Sequence, residues 1–361
     1  MAAQGFPDAE HLSDDRGSVL EVYQCSRCGL VQLDAEPVPY YREVVRAAAV
    51  SEVVLGQKRE QFARFVGDFS LEGKRVVEVG CGRGEFLTLL STMGVSAFGL
   101  EYGEAAVETC RERGLEASRG YPGKGGGLWD GGPFDAFLML MFLEHMPDPN
   151  TALAAIGDNL VDGAVGIVEV PSFDTVVSVG LFSEFVGDHL MYFTEETLRT
   201  TLNRNGFEVI GASHLRDDYV LSVMVRKRRR MDLSGLRAQQ DCVTQEIVDY
   251  VDRFGPKKVA VWGAGHQALA LLAMTGIADR IAYVVDSAPF KQGRFTPTTH
   301  VPVVPPAALL SEPVDAVLVM AASYSDEVAR ILREQYDPSL SVAVVRPLGV
   351  EVLDSPRTNR T

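Results

Sequence analysis

A glycine-rich segment carries the residues with the clearest chemical meaning in this sequence. Residues 76–87 read VVEVGCGRGEFL, which predicts a short buried strand, a tight turn and the start of a helix. Gly80, Gly82 and Gly84 can adopt positive φ and carry no side chain, so a ligand can lie directly against this backbone. The next apolar run ends in Glu101, and an acid at that strand tip is placed to bind the two hydroxyls of a ribose. The spacing predicts a nucleoside-type ligand, with purely structural glycines as the alternative.

The length and composition of the chain restrict its architecture and its partners. At 361 residues it is too long for one typical domain, so two domains and an appendage are expected. The formal net charge of −15 argues against nucleic acid as a main partner, because phosphate binding needs a basic surface. The sequence offers no long apolar run for a membrane span, and its first residues do not read as a signal peptide. Five cysteines without a framework spacing suit a reducing compartment. We expect a cytoplasmic monomer or homodimer with a small-molecule partner.

Apolar periodicity predicts alternating helices and strands that would hold the glycine turn. A helix is expected from Tyr40 to about Phe69, with Val44, Val45 and Ala48 among its apolar positions. Strands are expected at 75–79, 96–100, 115–119, 134–140 and 164–170, followed by a pair at 206–213 and 219–226. Such alternation implies a parallel sheet with helices on both faces, which is an α/β fold. The predicted division is an N-terminal segment (1–36), a first α/β domain (37–231), a linker helix (232–256) and a second, smaller α/β domain (257–361).

A short cysteine motif near the N-terminus could bind a metal. Cys25 and Cys28 form a C-x-x-C-G turn, which is one knuckle of a zinc ribbon. A closed structural zinc site usually takes four ligands from two such knuckles, and residues 1–24 contain no cysteine. The missing ligands could come from His11 together with Asp8, Glu10 or Asp14. A zinc site and a metal-free turn both remain open.

A second glycine turn opens the C-terminal part of the chain. Residues 258–268 read KVAVWGAGHQA, and the next apolar run ends in Asp286. This G-x-G-x-x-A pattern with its acid is typical of dinucleotide binding. Only three or four strands are expected in this unit, which is about half of a full dinucleotide fold. Bound NAD, a half-domain that helps to hold a substrate diphosphate and a pure scaffold are the three interpretations.

The combined motifs resemble a known enzyme family. The first glycine segment is similar to motif I of the class I S-adenosylmethionine (SAM) methyltransferases. The order of cysteine knuckle, SAM domain and small nucleotide-like domain, with DSAPFKQGRFTP at 286–297, resembles the sugar C-methyltransferases of the deoxysugar pathways. Those enzymes act on TDP-linked 4-keto-6-deoxysugars in antibiotic biosynthesis. The resemblance covers nearly the whole chain and implies a seven-stranded SAM domain.

The resemblance also implies where proton transfer takes place. In that family an acid–histidine pair follows the fifth strand, and Asp188 and His189 match it here. His189 would be the base that removes a proton next to a ketone, with a pKa suited to neutral pH, and Asp188 would orient it. An architectural role for the pair is the alternative. Glu144 and His145 stand where class I enzymes bring side chains toward the transferred methyl group, so His145 would be a second catalytic residue or a packing residue.

Further contacts are implied for the cofactor and the acceptor. The expected SAM contacts are Tyr41, Glu78, Gly80, Cys81, Gly82, Gly84, Glu101, Tyr102 and Met141. The expected contacts of the methyl acceptor are Glu144, Tyr192, His214 and Tyr219.

Several positions depart from the family pattern. The family has a tyrosine two residues before the acid of the pair, where this chain has Val186, and an asparagine where it has Met141. The acid after the third strand is replaced by Gly120, and the His-Gly-Gly turn keeps only His214. The leading prediction is therefore C-methylation of a nucleotide-linked 4-keto-deoxysugar through an enolate. O- or N-methylation of another natural-product intermediate and a non-catalytic nucleotide-binding protein are the alternatives.

Overall fold

The structure is a computed structural model that describes residues 8–12, 16–43, 50–125 and 127–353. The chain forms two compact units, Met1–Arg230 and Met231–Thr361. Within the span of the predicted helix over 40–69, a helix begins at Glu52, whereas Tyr40–Glu43 form turns. Val44, Val45, Ala48 and Asp14 lie outside the described residues.

The first unit is built on a seven-stranded sheet, and the predicted alternation of strands and helices is confirmed. The strands of this sheet are β3 Arg75–Val79, β4 Ser96–Glu101, β5 Glu116–Arg119, β6 Phe134–Leu140, β7 Leu160–Pro171, β9 Phe207–Leu215 and β10 Val220–Lys227. A small separate sheet consists of β1 Val22–Gln24, β2 Val31–Leu33 and β8 Met191–Tyr192. The helices of the first unit are α1 Glu52–Asp68, α2 Glu85–Ser91, α3 Glu104–Glu112, α4 Pro149–Asp158, α5 Phe173–Val179 and α6 Glu195–Arg204. The strand order is β5-β4-β3-β6-β7-β10-β9, with β10 antiparallel to both neighbours. This order is the class I methyltransferase topology that was predicted.

Alternating side chains place a core on each face of this sheet. Val77 and Val79 of β3 pack in one apolar cluster, whereas Val76 packs in another with Phe62 and Phe65 of α1. Both faces are covered because successive side chains of a strand point to opposite sides. The carboxyl ends of the parallel strands meet at one edge, and in open α/β sheets ligands bind at this edge.

The N-terminal hairpin is joined to the loop that follows β7. Strand β2 pairs with β8, so Val31 lies opposite Tyr192. The backbone N–H of Leu33 also donates to the carbonyl of Leu190, and the N–H of Leu190 donates to the carbonyl of Glu144. The hairpin thereby fixes the segment that contains Asp188 and His189.

The second unit contains more strands than its sequence pattern predicted. Its helices and strands are α7 Ser234–Val251, β11 Val259–Trp262, α8 His266–Thr275, β12 Ile281–Val285, β13 Val303–Val304, α9 Ala308–Ser311, β14 Ala316–Val319, α10 Ser325–Gln335, β15 Ser341–Arg346 and β16 Gly349–Leu353. They form a six-stranded sheet of order β13-β12-β11-β14-β15-β16. The expectation of three or four strands was wrong because β13 has two residues and β16 follows β15 through a tight antiparallel turn. Trp262 is buried in its core.

None of the helices within the described residues is long and apolar enough to cross a membrane.

Candidate functional site

The first glycine turn has the backbone conformation that its sequence predicts. Gly80, Gly82 and Gly84 have φ values of 78°, 54° and 85°, in the left-handed region that favours glycine. A Cβ added at Gly84 would lie 2.6 Å from Cδ1 of Leu115 and 2.9 Å from Sγ of Cys110. The turn therefore excludes a side chain at Gly84 and lies at the ligand-binding edge of the sheet. This arrangement fits a nucleoside-type cofactor.

Glu101 binds the same turn from the tip of β4. Its Oε2 accepts a hydrogen bond from the N–H of Gly82 at 2.9 Å, and its Oε1 accepts from Tyr102 and Gly103 at 2.8 and 2.9 Å. The carboxylate is buried, with 1% of the residue surface exposed. Ribose hydroxyls at this acid would have to join or replace these backbone donors. Glu78 is buried beside it in β3, and Cys81 is fully buried within the turn.

Aromatic side chains and an arginine gather next to Glu101. The ring of Tyr121 contacts Tyr41 edge to face at a centroid distance of 5.8 Å and Tyr102 at 6.5 Å. The guanidinium of Arg42 lies 5.1 Å from the Tyr41 ring centroid and 5.4 Å from that of Tyr102. Tyr121 directly follows Gly120, which replaces the acid of the related family. Aromatic rings thus lie next to the position at which the related family has an acid.

Tyr40 connects the N-terminal turns to the loop after β7. Its hydroxyl donates to Oδ1 of Asp188 at 2.7 Å. The backbone carbonyl of Asp188 lies 2.7 Å from Nδ1 of His145. A carbonyl can only accept, so Nδ1 of His145 carries the proton in this contact. Asp188 is thus bound to Tyr40 and to His145, and among the described residues no hydrogen bond joins its carboxylate to the ring of His189.

Glu144, His145 and His189 form one compact cluster. Glu144 and His145 lie in the short 3-10 turn Leu143–His145 after β6. Oε1 of Glu144 is 3.9 Å from Nε2 of His145, and the rings of His145 and His189 meet edge to face at 4.9 Å. Glu144 is 1% exposed, and neither of its oxygens has a hydrogen-bond partner among the described residues. Two predicted catalytic residues and one predicted acceptor contact are therefore brought together.

Burial shifts the pKa values of two of these groups in opposite directions. Burial raises the pKa of Glu144 to about 7, against a smaller lowering by His145. Burial, followed by repulsion from His145, lowers the pKa of His189 to about 4, and Asp188 opposes this only in part. The expectation of a His189 pKa suited to neutral pH was wrong, because the imidazolium would be desolvated. His189 is instead a neutral ring at neutral pH.

Two small cavities flank the histidine pair. His145 lines the first, together with Tyr40, Tyr41, Glu43, Met141, Phe142 and Asp188. His189 lines the second, together with Pro171, Phe173, Val176, Glu184, Met191 and Tyr192. The first cavity adjoins the aromatic residues near Glu101, and the second lies under α5.

The predicted acceptor contacts differ in how close they lie to the two cavities. The hydroxyl of Tyr192 accepts from the N–H of Val186 at 3.1 Å, and its ring packs on Phe185 at 4.8 Å. The hydroxyl of Tyr219 donates to Glu184, which lines the second cavity. His214 is exposed at the end of β9 and lines neither cavity. Tyr219 is thus connected to the acceptor side through Glu184.

The N-terminal thiols gain no further ligand within the described part of the chain. Cys25 and Cys28 lie in the turn between β1 and β2, and they belong to no group of three metal-ligating side chains there. His11 is exposed and its Nδ1 lies 2.6 Å from Oδ1 of Asp8. The described residues do not assemble the zinc site considered from the sequence.

The acid of the second glycine turn is held by protein donors. Oδ2 of Asp286 accepts from the N–H of Ala264 at 2.8 Å and from Nζ of Lys291 at 2.9 Å. Its Oδ1 accepts from the N–H of Ala288 at 2.9 Å. Lys291 belongs to the 286–297 string, so this string folds back on the acid of its own unit.

Sequence reasoning missed several residues of the site. Arg42, Tyr121 and Glu184 were not predicted as contacts, and the link from Tyr40 to Asp188 was not foreseen. Tyr121 could have been found from its position directly after the third strand of the sheet. Glu184 is fixed by a contact with Tyr219, 35 residues away in the chain, for which no local signal exists.

Comparisons with known proteins agree with this geometry. A family model described as a methyltransferase domain matches residues 54–212, and one described as a C-methyltransferase C-terminal domain matches residues 234–344. The C-methyltransferase NovU of Streptomyces niveus is 23% identical over 86% of this chain and 81% of its own length. The two family matches follow one another in the order that the sequence predicted.

Two further similarities cover smaller parts of the chain. The ubiquinone biosynthesis O-methyltransferase of Methylococcus capsulatus is 37% identical over 24% of this chain, and the match spans only 38% of that enzyme. Magnesium protoporphyrin IX methyltransferase from Synechocystis PCC 6803, solved with bound SAH, has a TM-score of 0.39 and 18% identity. That comparison covers 50% of this chain and 89% of the solved one.

Proposed function

We propose that this chain, which matches the models of a methyltransferase domain and of a C-methyltransferase C-terminal domain, is a SAM-dependent enzyme that methylates carbon in a nucleotide-linked 4-keto-deoxysugar. One observation carries the proposal: the rings of His145 and His189 are in contact, and His145 lines a cavity that Tyr41 and Met141 share, whereas His189 lines a second cavity under α5. A methyl donor on one side and an acceptor on the other would meet at this pair. The alignment with a C-methyltransferase over most of both chains supports carbon as the methylated atom.

In this proposal the residues of the chain bind, align and move one proton. Bound SAM supplies an activated methyl group, so the protein mainly has to bring the acceptor carbon in line with it. Such positioning contributes about 7–11 kcal/mol in well-oriented reactions. The proton next to the ketone leaves at the His145–His189 pair, where His189 is the predicted base on the acceptor side, and the resulting enolate carbon takes the methyl group. Tyr40 and Asp188 act as positioning residues, because they fix the tautomer and place of His145.

The proposal also covers how the nucleotide part of the acceptor is bound and in which compartment the enzyme works. The second unit would help to hold the nucleotide diphosphate of the sugar, with the 286–297 string as the candidate contact. Five cysteines without a framework spacing fit a reducing compartment such as the cytoplasm.

The proposal is tested with His189→Gln. Glutamine keeps a polar side chain but cannot accept a proton at neutral pH, so transfer to a TDP-4-keto-6-deoxysugar should fall at least about 1,000-fold. SAH binding, measured by calorimetry, should stay within about twofold of the wild type. O- or N-methylation, where deprotonation is less demanding, is favoured instead if the variant loses less than about tenfold. Thermal stabilisation by NADH but not by SAH would point to a nucleotide-binding protein without this activity.

A further inference from the structure

Two side chains at the C-terminal end of α3 bind the first glycine turn. Sγ of Cys110 donates to the carbonyl oxygen of Gly82 at 3.4 Å, and Nη1 of Arg113 donates to the carbonyl oxygen of Arg83 at 3.0 Å. These donors lie 28 and 30 positions further along the chain than the residues that they bind. Two successive carbonyl groups of the turn are therefore held by one end of one helix.

The thiol of Cys110 is packed closely against this turn. Cys110 and Cys81 are both fully buried, and Sγ of Cys81 lies 3.8 Å from the same oxygen of Gly82. A hydrogen bond with Cys81 lowers the pKa of Cys110, against the opposing effect of burial. A Cβ at Gly84 would lie only 2.9 Å from Sγ of Cys110. The thiol thus has a fixed place beside the turn, and the contact with Cys81 polarises its S–H group toward Gly82.

Glu101 binds the same glycine through the opposite backbone group. Its Oε2 accepts the N–H of Gly82, and its Oε1 accepts the N–H of Gly103, which directly precedes α3. Gly82 is therefore held through its N–H by Glu101 and through its carbonyl by Cys110. Ribose hydroxyls that bind Glu101 would compete with the N–H of Gly82. The bond from Cys110 would then still hold the turn in place.

The orientation of the Gly82 carbonyl also determines where one backbone donor points. The carbonyl and the N–H of a trans peptide group point in opposite directions, so the N–H of Arg83 points away from Cys110. Among the described residues this N–H has no acceptor, whereas the N–H of Gly84 donates to the carbonyl of Cys81 at 3.0 Å. The N–H of Arg83 is therefore available to a ligand at this edge of the sheet.

We propose that Cys110 and Arg113 are positioning residues of the SAM site, which hold the glycine turn so that the backbone N–H of Arg83 binds the cofactor. Both side chains act through the backbone of the turn. SAM carries a carboxylate, and a charged acceptor of this kind forms a strong hydrogen bond with a fixed N–H group. The inference concerns the cofactor, so it goes beyond the proposed acceptor and holds for any other.

Calorimetric titration of the full-length protein with SAH tests the two side chains. Cys110→Ala removes the thiol donor, and Arg113→Met removes the guanidinium but keeps an apolar stem. Each substitution should raise the Kd for SAH about three- to tenfold, which corresponds to the loss of one hydrogen bond. Cys110→Ser keeps a donor and should bind SAH within about twofold of the wild type. Arg111→Met is the matched control, because Arg111 of the same helix donates to the carbonyl of Ala117 in β5. It should leave the Kd unchanged.

Amide hydrogen exchange tests the orientation of the backbone donor. When SAH is bound to the wild type, the exchange of the Arg83 N–H, followed by NMR, should slow at least about tenfold. In Cys110→Ala the protection by SAH should be smaller, because the peptide group is no longer held by the thiol.

Several results would overturn the proposal. They are an unchanged Kd in Cys110→Ala, a Kd raised equally in Cys110→Ser and Cys110→Ala, a Kd raised equally in Arg111→Met and Arg113→Met, and an Arg83 exchange rate that SAH does not alter. The first three would leave Cys110 and Arg113 with a merely structural role. None of these measurements involves methyl transfer, so the proposed function stands if they fail. A wild type that does not bind SAH at all would overturn both.

Discussion

The carboxylate of Glu101 closes the glycine turn that precedes it, because its Oε2 accepts the N–H of Gly82 at 2.9 Å. The second unit repeats this relationship with Asp286, whose Oδ2 accepts the N–H of Ala264 at 2.8 Å and also pairs with Lys291. In both units the acid at the tip of the second strand stabilises the turn after the first. The acid that sequence patterns associate with ribose binding therefore also has a structural role.

Glu101→Gln should weaken SAH binding, whereas Asp286→Asn should not. The amide places an NH₂ group toward backbone donors and removes the negative charge, so the first turn loses at least one strong hydrogen bond, worth about 1–3 kcal/mol. We expect SAH affinity to fall at least tenfold in calorimetric titrations. The matched Asp286→Asn makes the same chemical change at the other turn. Equal SAH affinity in the two variants would contradict ribose binding at Glu101.

Gly84→Ala should destabilise the first unit more than an alanine substitution at a glycine that has free space around its Cα. The residue has a φ of 85°, and the new Cβ would lie 2.6 Å from Leu115. Left-handed backbone costs a non-glycine residue about 1–2 kcal/mol, and overpacking adds about 1–3 kcal/mol. Urea unfolding of the variant should show this loss together with weaker SAH binding.

The control for this experiment is Gly67→Ala. Gly67 lies inside α1 with nothing within 4 Å of an added Cβ. Alanine is favoured in a helix, so the free energy of unfolding should rise by about 0.5–1 kcal/mol. A Gly84→Ala protein as stable as the wild type would mean that the turn relaxes without cost.

Tyr40→Phe should slow methyl transfer without weakening SAH binding. Removal of the hydroxyl leaves Asp188 without this donor and loosens the backbone carbonyl that orients His145. One hydrogen bond is worth about 1 kcal/mol, so kcat should fall about five- to tenfold. Tyr23→Phe removes an exposed hydroxyl that binds Glu21 and should leave kcat unchanged. A similar loss in both variants would argue that Tyr40 has no specific role.

Local sequence signals predicted the parts of the fold that depend on neighbouring residues. The glycine turn and Glu101 belong to the same βαβ unit, because the turn follows its first strand and Glu101 ends its second. Their spacing in the sequence is therefore enough to predict that they meet. The same holds for β9 and β10, which form a hairpin. The apolar pattern predicted the strands of the first unit, and the family resemblance implied that they form one seven-stranded sheet.

Contacts between distant segments could not be predicted from local patterns. Strand β2 pairs with β8 about 160 residues later, and Tyr40 reaches Asp188 across 148 positions. The low pKa of His189 follows from burial, which its sequence neighbours do not reveal. The burial of Glu144 likewise becomes visible only in the folded chain.

Lys58→Met should destabilise the first unit strongly, because it leaves a buried carboxylate behind. Lys58 and Glu169 are 3% and 1% exposed and form a direct ion pair, and Gln61 donates to Oε1 of Glu169 at 2.7 Å. Removal of one partner from a buried pair costs about 3–5 kcal/mol, whereas apolar replacement of both partners is often neutral. Lys58→Met combined with Glu169→Leu should therefore regain most of the stability lost in urea unfolding. Arg199→Met, which breaks an exposed pair with Glu195, should cost no more than about 0.5 kcal/mol. If the double variant is as unstable as the sum of its single variants, burial of the charge is not the source of the loss.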